Sequence, residues 1–417
     1  MTDLRPVRGT HDWPPEEARH FHHVTEAARA VAALYGFAEV MTPVFEYSEV
    51  FHRTLGDTSD IVSKETYTFD DRGGDSITLR PEITAAIVRA FLSGGWQNQD
   101  RWRYFYAGPA FRYERPQKGR LRQFHQLGVE WLGEESVLAD VQVIALARQI
   151  LQQLGLEEVT QLELNSLGDR ESRAAYRATL VDYLSAHRAK LSEDSLTRLE
   201  KNPLRILDSK DEGDREVVAS APQLADSFNP ESKARYEELN QRLSDLGIAY
   251  TLNPKLVRGL DYYQHCVFEF TTDRLGSQNA VIAGGRYDGL VKQMGGKQDL
   301  SGIGFAGGIE RIIALREEAG VSMPQVAACV ALLPMGEAAE GAMLPLMQQL
   351  RAAGIAAELI AGGNMGKRMK KADKFGASHA VILGDDELAA GQLQLRNLAD
   401  GSQQAVAMDA LVTALKG

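Results

Sequence analysis

Apolar residues recur at helical spacing from Phe21 through Val24, Ala28 and Val31 to Tyr35. Pro14-Pro15-Glu16-Glu17 precedes this run and Gly36 follows it. Proline near the first position, acids in the first turn and glycine after the last are the start and stop signals of one long helix. The next segment, Phe37-Ala38-Glu39-Val40-Met41-Thr42-Pro43, reads as an extended stretch broken by its proline. Two hairpins are expected after it. Tyr67-Thr68-Phe69 and Ile77-Thr78-Leu79 flank a turn at 70–75, and Tyr104–Ala107 and Val129–Leu132 flank the polar loop Glu114-Arg115-Pro116-Gln117-Lys118-Gly119-Arg120. A helix is expected over about 136–154, and residues 161–167 alternate as a strand does.

From 169 to about 247 charge rises, β-branched residues thin out and helical pattern dominates, which marks a helical insertion. Strand pattern resumes at 249–252 and 267–271, and a glycine-rich stretch at 284–308 leads into a helix over about 309–319. Beyond Pro324 the rhythm changes. Short apolar strands at 327–333, 357–360 and 380–383 alternate with helices at 338–353 and 364–376, the pattern of a βαβαβ unit with a parallel sheet. The expected organisation is a core over 1–323, with the insertion at about 169–247, and a second domain over 326–417.

A length of 417 residues exceeds what one hydrophobic core accommodates, in keeping with that division. The net charge of −11 argues against a protein that coats nucleic acid by bulk charge. It leaves room for one that reads a folded RNA through local basic patches, and Asn364–Lys374 is such a patch. Two distant cysteines, with no Cys or His at ligand spacing, argue against a disulfide scaffold or a structural zinc site. The N-terminal residues form no apolar signal region and no stretch approaches the roughly 18 apolar residues of a span, so a cytoplasmic protein without membrane attachment is expected. No H-E-x-x-H, Walker A or G-x-S-x-G pattern occurs.

Charged and polar residues recur at strand ends in the first 323 positions: Glu82, Arg112, Gln126 with Glu130, and Arg258. Arg311 follows the glycine run that ends in Gly307 and Gly308, which lets a helix N-terminus approach a flat or anionic ligand. Arginine suits planar, bidentate recognition of phosphate, and three of them point to a polyphosphate neutralised from several sides. His20, His22 and His23 read as a solvated helix face.

Together, and in this order, these segments resemble the class II aminoacyl-tRNA synthetases, and most closely the family of the histidine enzymes. The helix, strand and Pro43 are similar to the family's first motif, which builds a dimer interface. Phe111-Arg112-Tyr113-Glu114 with Arg122-Gln123-Phe124 is similar to the second, and Gly304–Arg311 to the third. Leu256–Tyr263 and Ala283–Gly289 resemble two segments particular to the histidine enzymes. The resemblance implies an α+β catalytic core on an antiparallel sheet with a helical insertion. It implies a C-terminal anticodon-binding domain of α/β type, with a mixed, mainly parallel sheet.

The resemblance also implies roles. Arg258, Arg112 and Arg311 are the expected catalytic cations. Glu82, Ile83, Thr84, Arg112, Gln126, Glu130, Arg258, Tyr262 and Tyr263 are the expected histidine contacts, with Glu130 and Tyr263 on the imidazole. Free imidazole is mostly neutral near pH 7 and presents one donor and one acceptor, which a carboxylate and a phenol together satisfy. Arg112, Glu114, Arg120, Phe124, Gly308 and Arg311 are the expected ATP contacts. Arg115 and Gln117, and Lys367, Lys370 and Lys371, are the expected tRNA contacts. Ile83 stands where the family usually has glycine, so its branched side chain must point away from the ligand.

The implied activity is attachment of L-histidine to tRNA(His) through histidyl-adenylate, with ATP and Mg²⁺, no organic cofactor, no DNA partner, and a homodimer as the working unit. The sequence does not name the Mg²⁺ ligands. The competing expectation is a non-catalytic, synthetase-like regulatory subunit of histidine biosynthesis. Such proteins lack the C-terminal domain and lose the catalytic motifs, whereas both are present here.

Overall fold

The structure is a computed structural model and describes residues 4–55, 61–116, 119–207, 209–257, 262–276, 279–323 and 329–416. Its contacts divide it into two compact units, Met1–Ser322 and Met323–Gly417.

In the first unit α1 (Pro15–Leu34) leads to β1 (Ala38–Glu39), β2 (Phe45–Tyr47) and α2 (Ser48–Leu55). The hairpin β3 (Tyr67–Asp70) and β4 (Ser76–Leu79) is followed by α3 (Thr84–Ser93), and the long hairpin β5 (Arg103–Phe111) and β6 (Gln123–Leu132) by α4 (Val137–Gln153) and β7 (Gln161–Ser166). The insertion consists of α5 (Arg170–Ala186), α6 (Glu193–Lys201), α7 (Glu212–Ala219) and α8 (Pro230–Asp245). The unit closes with β8 (Thr251–Leu252), β9 (Gln264–Thr271), β10 (Ala280–Arg286), α9 (Leu290–Gln293), β11 (Gly302–Gly308) and α10 (Ile309–Glu318).

These strands form an eight-stranded sheet in the order β1-β5-β6-β11-β10-β9-β7-β8, and β2-β4-β3 form a small second sheet. The six central strands of the large sheet are antiparallel, and only the two short edge strands pair in parallel. Strand alternation gives it two unlike faces. Phe105, Leu127, Val129 and Ile303 are buried in one cluster with Val24 and Val31 of α1, Ile144 of α4 and Ile312 of α10. The neighbouring positions Tyr104, Tyr106 and Leu132 belong to a different cluster, which leaves the opposite face for the site.

Local chemistry explains where the helices begin. Ser136 Oγ accepts the Leu138 N–H at 3.1 Å, Asp169 Oδ1 the Ser172 N–H at 2.7 Å, and Asn229 Oδ1 the Ser232 N–H at 2.9 Å, each satisfying an orphan donor of a first turn. Arg80 braces the segment at Pro43. Its Nη1 donates to the carbonyls of Thr42 and Pro43 at 2.9 and 3.2 Å, and its Nε to the carbonyl of Pro109 at 2.7 Å.

The glycine-rich stretch at 284–308 leads into α10, and it holds the end of β10 and the whole of β11, two central strands that its composition did not announce. Its glycines make room for close neighbours: a Cβ on Gly302 would sit 2.2 Å from the Tyr287 ring, and one on Gly304 would sit 2.0 Å from Glu130 Oε2.

In the second unit, β12 (Val330–Pro334), α11 (Glu337–Ala352), β13 (Ala357–Leu359), α12 (Met365–Lys374) and β14 (His379–Leu383) make the expected βαβαβ pattern. After α13 (Asp385–Ala389), the strands β15 (Gln392–Asn397) and β16 (Gln403–Ala407) extend the sheet antiparallel before α14 (Leu411–Lys416). This hairpin was not foreseen, and the sheet, in the order β13-β12-β14-β15-β16, is mixed. Its two faces carry separate apolar clusters, around Leu332 and Val381 and around Leu333 and Ala380.

Candidate active site

The open face of the large sheet carries a cavity of about 240 Å³ walled by β5–β6, β10, β11, the start of α3 and the segment before β9. Nearly all the residues foreseen as histidine and ATP contacts meet there. Glu82, Thr84, Arg112, Glu114, Arg120, Phe124, Gln126, Glu130, Tyr262, Tyr263, Gly308 and Arg311 all line it.

Ile83 does not line it. Its side chain is buried in the cluster that holds Phe51 and Phe91, as a branched residue between two cavity-facing neighbours must be. Arg258 and Gln117 lie outside the described residues. Arg115 is exposed on the loop after β5. In the second unit Lys367, Lys370 and Lys371 are exposed on α12, where Asn364 caps the first turn and the neighbouring Arg368 is buried.

The cavity has two chemically opposite ends. At one end are two buried carboxylates. Glu82 follows β4, and its Oε1 accepts the Ala85 N–H at 2.8 Å, capping α3. Glu130 on β6 takes hydroxyl donors on both oxygens: Thr84 at 2.6 Å and Tyr106 at 3.2 Å on Oε1, and Tyr287 on Oε2. Burial, with some repulsion from Glu82, pushes the Glu130 carboxyl up to about 8, and burial also raises Glu82. Tyr262 and Tyr263 stand over this end with ring centroids 4.6 Å apart. Burial holds the Tyr262 phenol well above its ordinary value, so it stays a neutral donor. The Oε1 of Gln126, also on the wall, is buried with no hydrogen-bond partner.

The other end is cationic. Arg112 leaves the end of β5, its Nε donates to the Pro81 carbonyl at 2.9 Å, and its guanidinium lies 5.3 Å from the centroid of the Phe124 ring. Arg311 is on the first turn of α10, its stem beside Gly308 and Gly119. Burial, and then the proximity of Arg120, depress the Arg311 guanidinium, so two like charges face one space. Arg120 also pairs with Glu114. Glu310 fixes the helix start to β6, accepting the His125 backbone N–H at 2.9 Å and meeting its ring Nδ1 at 2.8 Å.

Tyr106, Tyr287 and Gly304 were absent from the expected site. Tyr106 and Tyr287 hold Glu130 from behind the wall, and Gly304 leaves room for it. Tyr287 lies inside the Ala283–Gly289 segment and Gly304 opens the Gly304–Arg311 segment, both already singled out, whereas nothing marked Tyr106.

An antiparallel sheet that passes through a glycine strand into a helix, with arginines at one end of its cavity and carboxylates at the other, defines a class II aminoacyl-tRNA synthetase. The family model described as histidyl-tRNA synthetase matches residues 9–312, and that of an anticodon binding domain matches 329–417. The chain is 54% identical over 411 residues to the histidine–tRNA ligase of Rhodospirillum rubrum, covering 99% of this chain and 98% of the relative. It is 52% identical to that of Gluconacetobacter diazotrophicus, covering 100% and 99%. The crystal structure of apo S. aureus histidyl-tRNA synthetase superposes with a TM-score of 0.84 at 34% identity, covering 99% of this chain and 100% of that one. The chain belongs to the histidyl-tRNA synthetase family.

Proposed function

We propose that this enzyme activates L-histidine with ATP and transfers it to tRNA(His), and that the two-ended cavity is where activation occurs. The observation that carries this reading is the separation of buried carboxylates at one end from Arg112, Arg120 and Arg311 at the other. An amino acid with two nitrogen-bearing groups suits the first end, and a polyphosphate suits the second.

Glu82, Thr84 and Gln126 would take the ammonium group, the unpartnered Gln126 oxygen accepting one of its protons. Glu130 and Tyr263 would take the two imidazole nitrogens. The carboxylate of histidine would then face Arg112, which stands near both Glu82 and the adenine-sized surface of Phe124. Its oxygen attacks the α-phosphorus and diphosphate leaves. Both partners are anions, so alignment and charge neutralisation dominate the barrier. Arg112 and Arg258 would neutralise the α-phosphate, and Arg311 and Arg120 the outgoing diphosphate, relieving the repulsion between the last two. In the second step a terminal ribose hydroxyl of tRNA attacks the adenylate carbonyl and AMP leaves.

Among the described residues no group of three or more His, Cys, Asp or Glu is arranged to hold a metal ion. Mg²⁺ would enter with ATP, held by phosphate oxygens, one or two carboxylates and water. Arg115 and Gln117 of the loop sequence after Glu114, and the lysines of α12, are the proposed tRNA contacts. No helix among the described residues is long and apolar enough to cross a membrane, and a cytoplasmic homodimer is proposed as the working form.

The non-catalytic reading is disfavoured by a second unit matching an anticodon-binding domain and by a cavity that keeps both ends. ATP–pyrophosphate exchange measured with each amino acid tests the function. Exchange that depends on histidine alone is expected, and exchange with another amino acid, or none, would overturn it.

A further inference from the structure

Next to Tyr287 lies a buried charge cluster none of whose residues lines the cavity. Arg286, the last residue of β10, is fully buried. Its Nε and Nη2 donate to the Asp140 carboxylate at 3.0 and 2.9 Å, its Nη1 to the Glu134 carbonyl at 2.9 Å and Asp288 Oδ1 at 3.2 Å, and Nη2 again to the Ser136 carbonyl at 3.3 Å. A planar fork satisfied along every edge has one orientation. Asp140, on α4, is 1% exposed, and its Oδ2 also accepts from Arg235 of the insertion helix α8 at 2.9 Å. The two guanidiniums thus share one carboxylate, from opposite parts of the unit.

The residue after Arg286 is Tyr287, whose hydroxyl donates to Glu130 Oε2 and whose ring fills the notch left by Gly302. On the β11 side the strand ladder runs on regularly, the Tyr287 N–H donating to the Gly302 carbonyl at 2.7 Å, but on the β9 side it does not set the direction of the chain. The register of β10 on β9 shifts between Gly285 and Arg286, an irregularity that re-aims side chains. There the chain on either side of Tyr287 is further held by the Arg286 fork and by Asp288, whose Oδ1 also accepts the Gly302 N–H at 3.1 Å.

We propose that Arg286, anchored on Asp140, is a positioning residue for imidazole recognition: it fixes Tyr287, which orients the Glu130 carboxylate, and Arg235 makes the helical insertion part of that support. This rests on the reading that Glu130 receives the imidazole. The insertion thereby acquires a task in amino-acid selection without reaching the cavity. Arg173 of α5 supports the same assignment by donating to the Tyr263 carbonyl.

The test is histidine-dependent ATP–pyrophosphate exchange by the full chain, with melting temperatures taken in parallel. Tyr287→Phe is expected to raise the KM for histidine about tenfold, the scale of one hydrogen bond, with the KM for ATP unchanged. Arg286→Lys is expected to raise it similarly, and the double variant to match Tyr287→Phe alone, because residues acting in series do not add. Should Arg286→Lys not fold, Arg235→Gln carries the same cycle with an expected rise of about two- to fivefold that vanishes in the Tyr287→Phe background. Multiplying effects, equal losses for ATP and histidine, or an unchanged histidine KM in Tyr287→Phe would overturn the proposal. Glu130→Gln separates the two readings: if it leaves the histidine KM unchanged the imidazole assignment fails, and if it raises the KM while Tyr287→Phe does not, only the positioning role fails.

Discussion

The Thr84 hydroxyl donates to Glu130 Oε1 at 2.6 Å, and so ties the first turn of α3 to the middle of β6. Two residues earlier, Glu82 caps the same turn through the Ala85 N–H. One helix start therefore holds one carboxylate of the cavity and is held by the other. A ligand that engages both acids meets a rigid pair, which favours a shape-specific amino acid over a flexible one.

The raised carboxyls make stability depend on pH. Glu130 titrates near 8 in the fold against an ordinary value of 4.5, and Glu82 is shifted the same way. Between those values the folded chain binds a proton that the unfolded chain has released, so this contribution is complete at low pH and lost as pH rises through about 8. The melting temperature of the ligand-free enzyme should fall across that range, and Glu130→Gln should flatten part of the fall. A fall of unchanged steepness in the variant would place the titrating group elsewhere.

Gly304→Ala should damage both fold and pocket. The added carbon would lie 2.0 Å from Glu130 Oε2 and 2.3 Å from the Val129 carbonyl, and the latter is backbone that moves only with β6. Overpacking of this kind costs about 1–3 kcal/mol. A lowered melting temperature with loss of histidine-dependent exchange is expected, and normal exchange would show that β6 and β11 separate more easily than their pairing suggests.

Arg258→His should slow adenylate formation more than it weakens either substrate. A cation between two anions gains interaction as charge shifts to the α-phosphate, and losing such a contact costs about 3–4 kcal/mol, or roughly 10²–10³ in rate. Single-turnover formation and thermal melting measured together decide the matter. A rate loss explained by unfolding alone would make Arg258 structural.

Removing 326–417 should spare adenylate formation and cripple tRNA charging. Each unit has its own apolar clusters, and every cavity residue lies in the first. Charging that survives the truncation at ordinary tRNA concentration would assign the second unit another task.

Association of two copies is expected through the segment around Pro43. The apolar stripe of α1 is already covered by α4 and α10, so that helix is not what a partner would bury. Met41, Phe45 and Tyr47, however, are 80%, 53% and 61% exposed, with Phe69 half exposed beside them on the small sheet. Analytical ultracentrifugation should find a dimer that Phe45→Glu weakens, and a fully active monomer would exclude it.

The long segments were legible in the sequence: α1 because its period, its prolines and Gly36 agreed, α4 as a helical run over about 136–154, and the β5–β6 hairpin as strand-like runs around a polar loop. The strands β10 and β11 were not, because glycine carries no propensity and its use there answers to the Tyr287 ring and the Glu130 carboxylate, contacts far off in sequence. The hairpin β15–β16 escaped because Gln403–Ala407 is short and mostly exposed, an edge strand with almost no buried face to announce it. Site residues came from the resemblance of motifs. What motifs could not supply was the layer behind them, since Tyr106, Asp140 and Arg235 act across the fold and not within a run of sequence.

The glycine strand β11 also sets an order of events during synthesis. It lies between β6 and β10, so it alone joins the half-sheet β1-β5-β6 to the half-sheet β10-β9-β7-β8. Until Gly302–Gly308 leaves the ribosome, each half presents an open edge, and the strand that must close both offers only Ile303 and Phe305 as large apolar side chains. The first unit therefore waits, nearly whole, for its last core strand. That wait over more than 300 residues of finished polypeptide is when pairing with the wrong edge is the hazard, and when a chaperone has most to do.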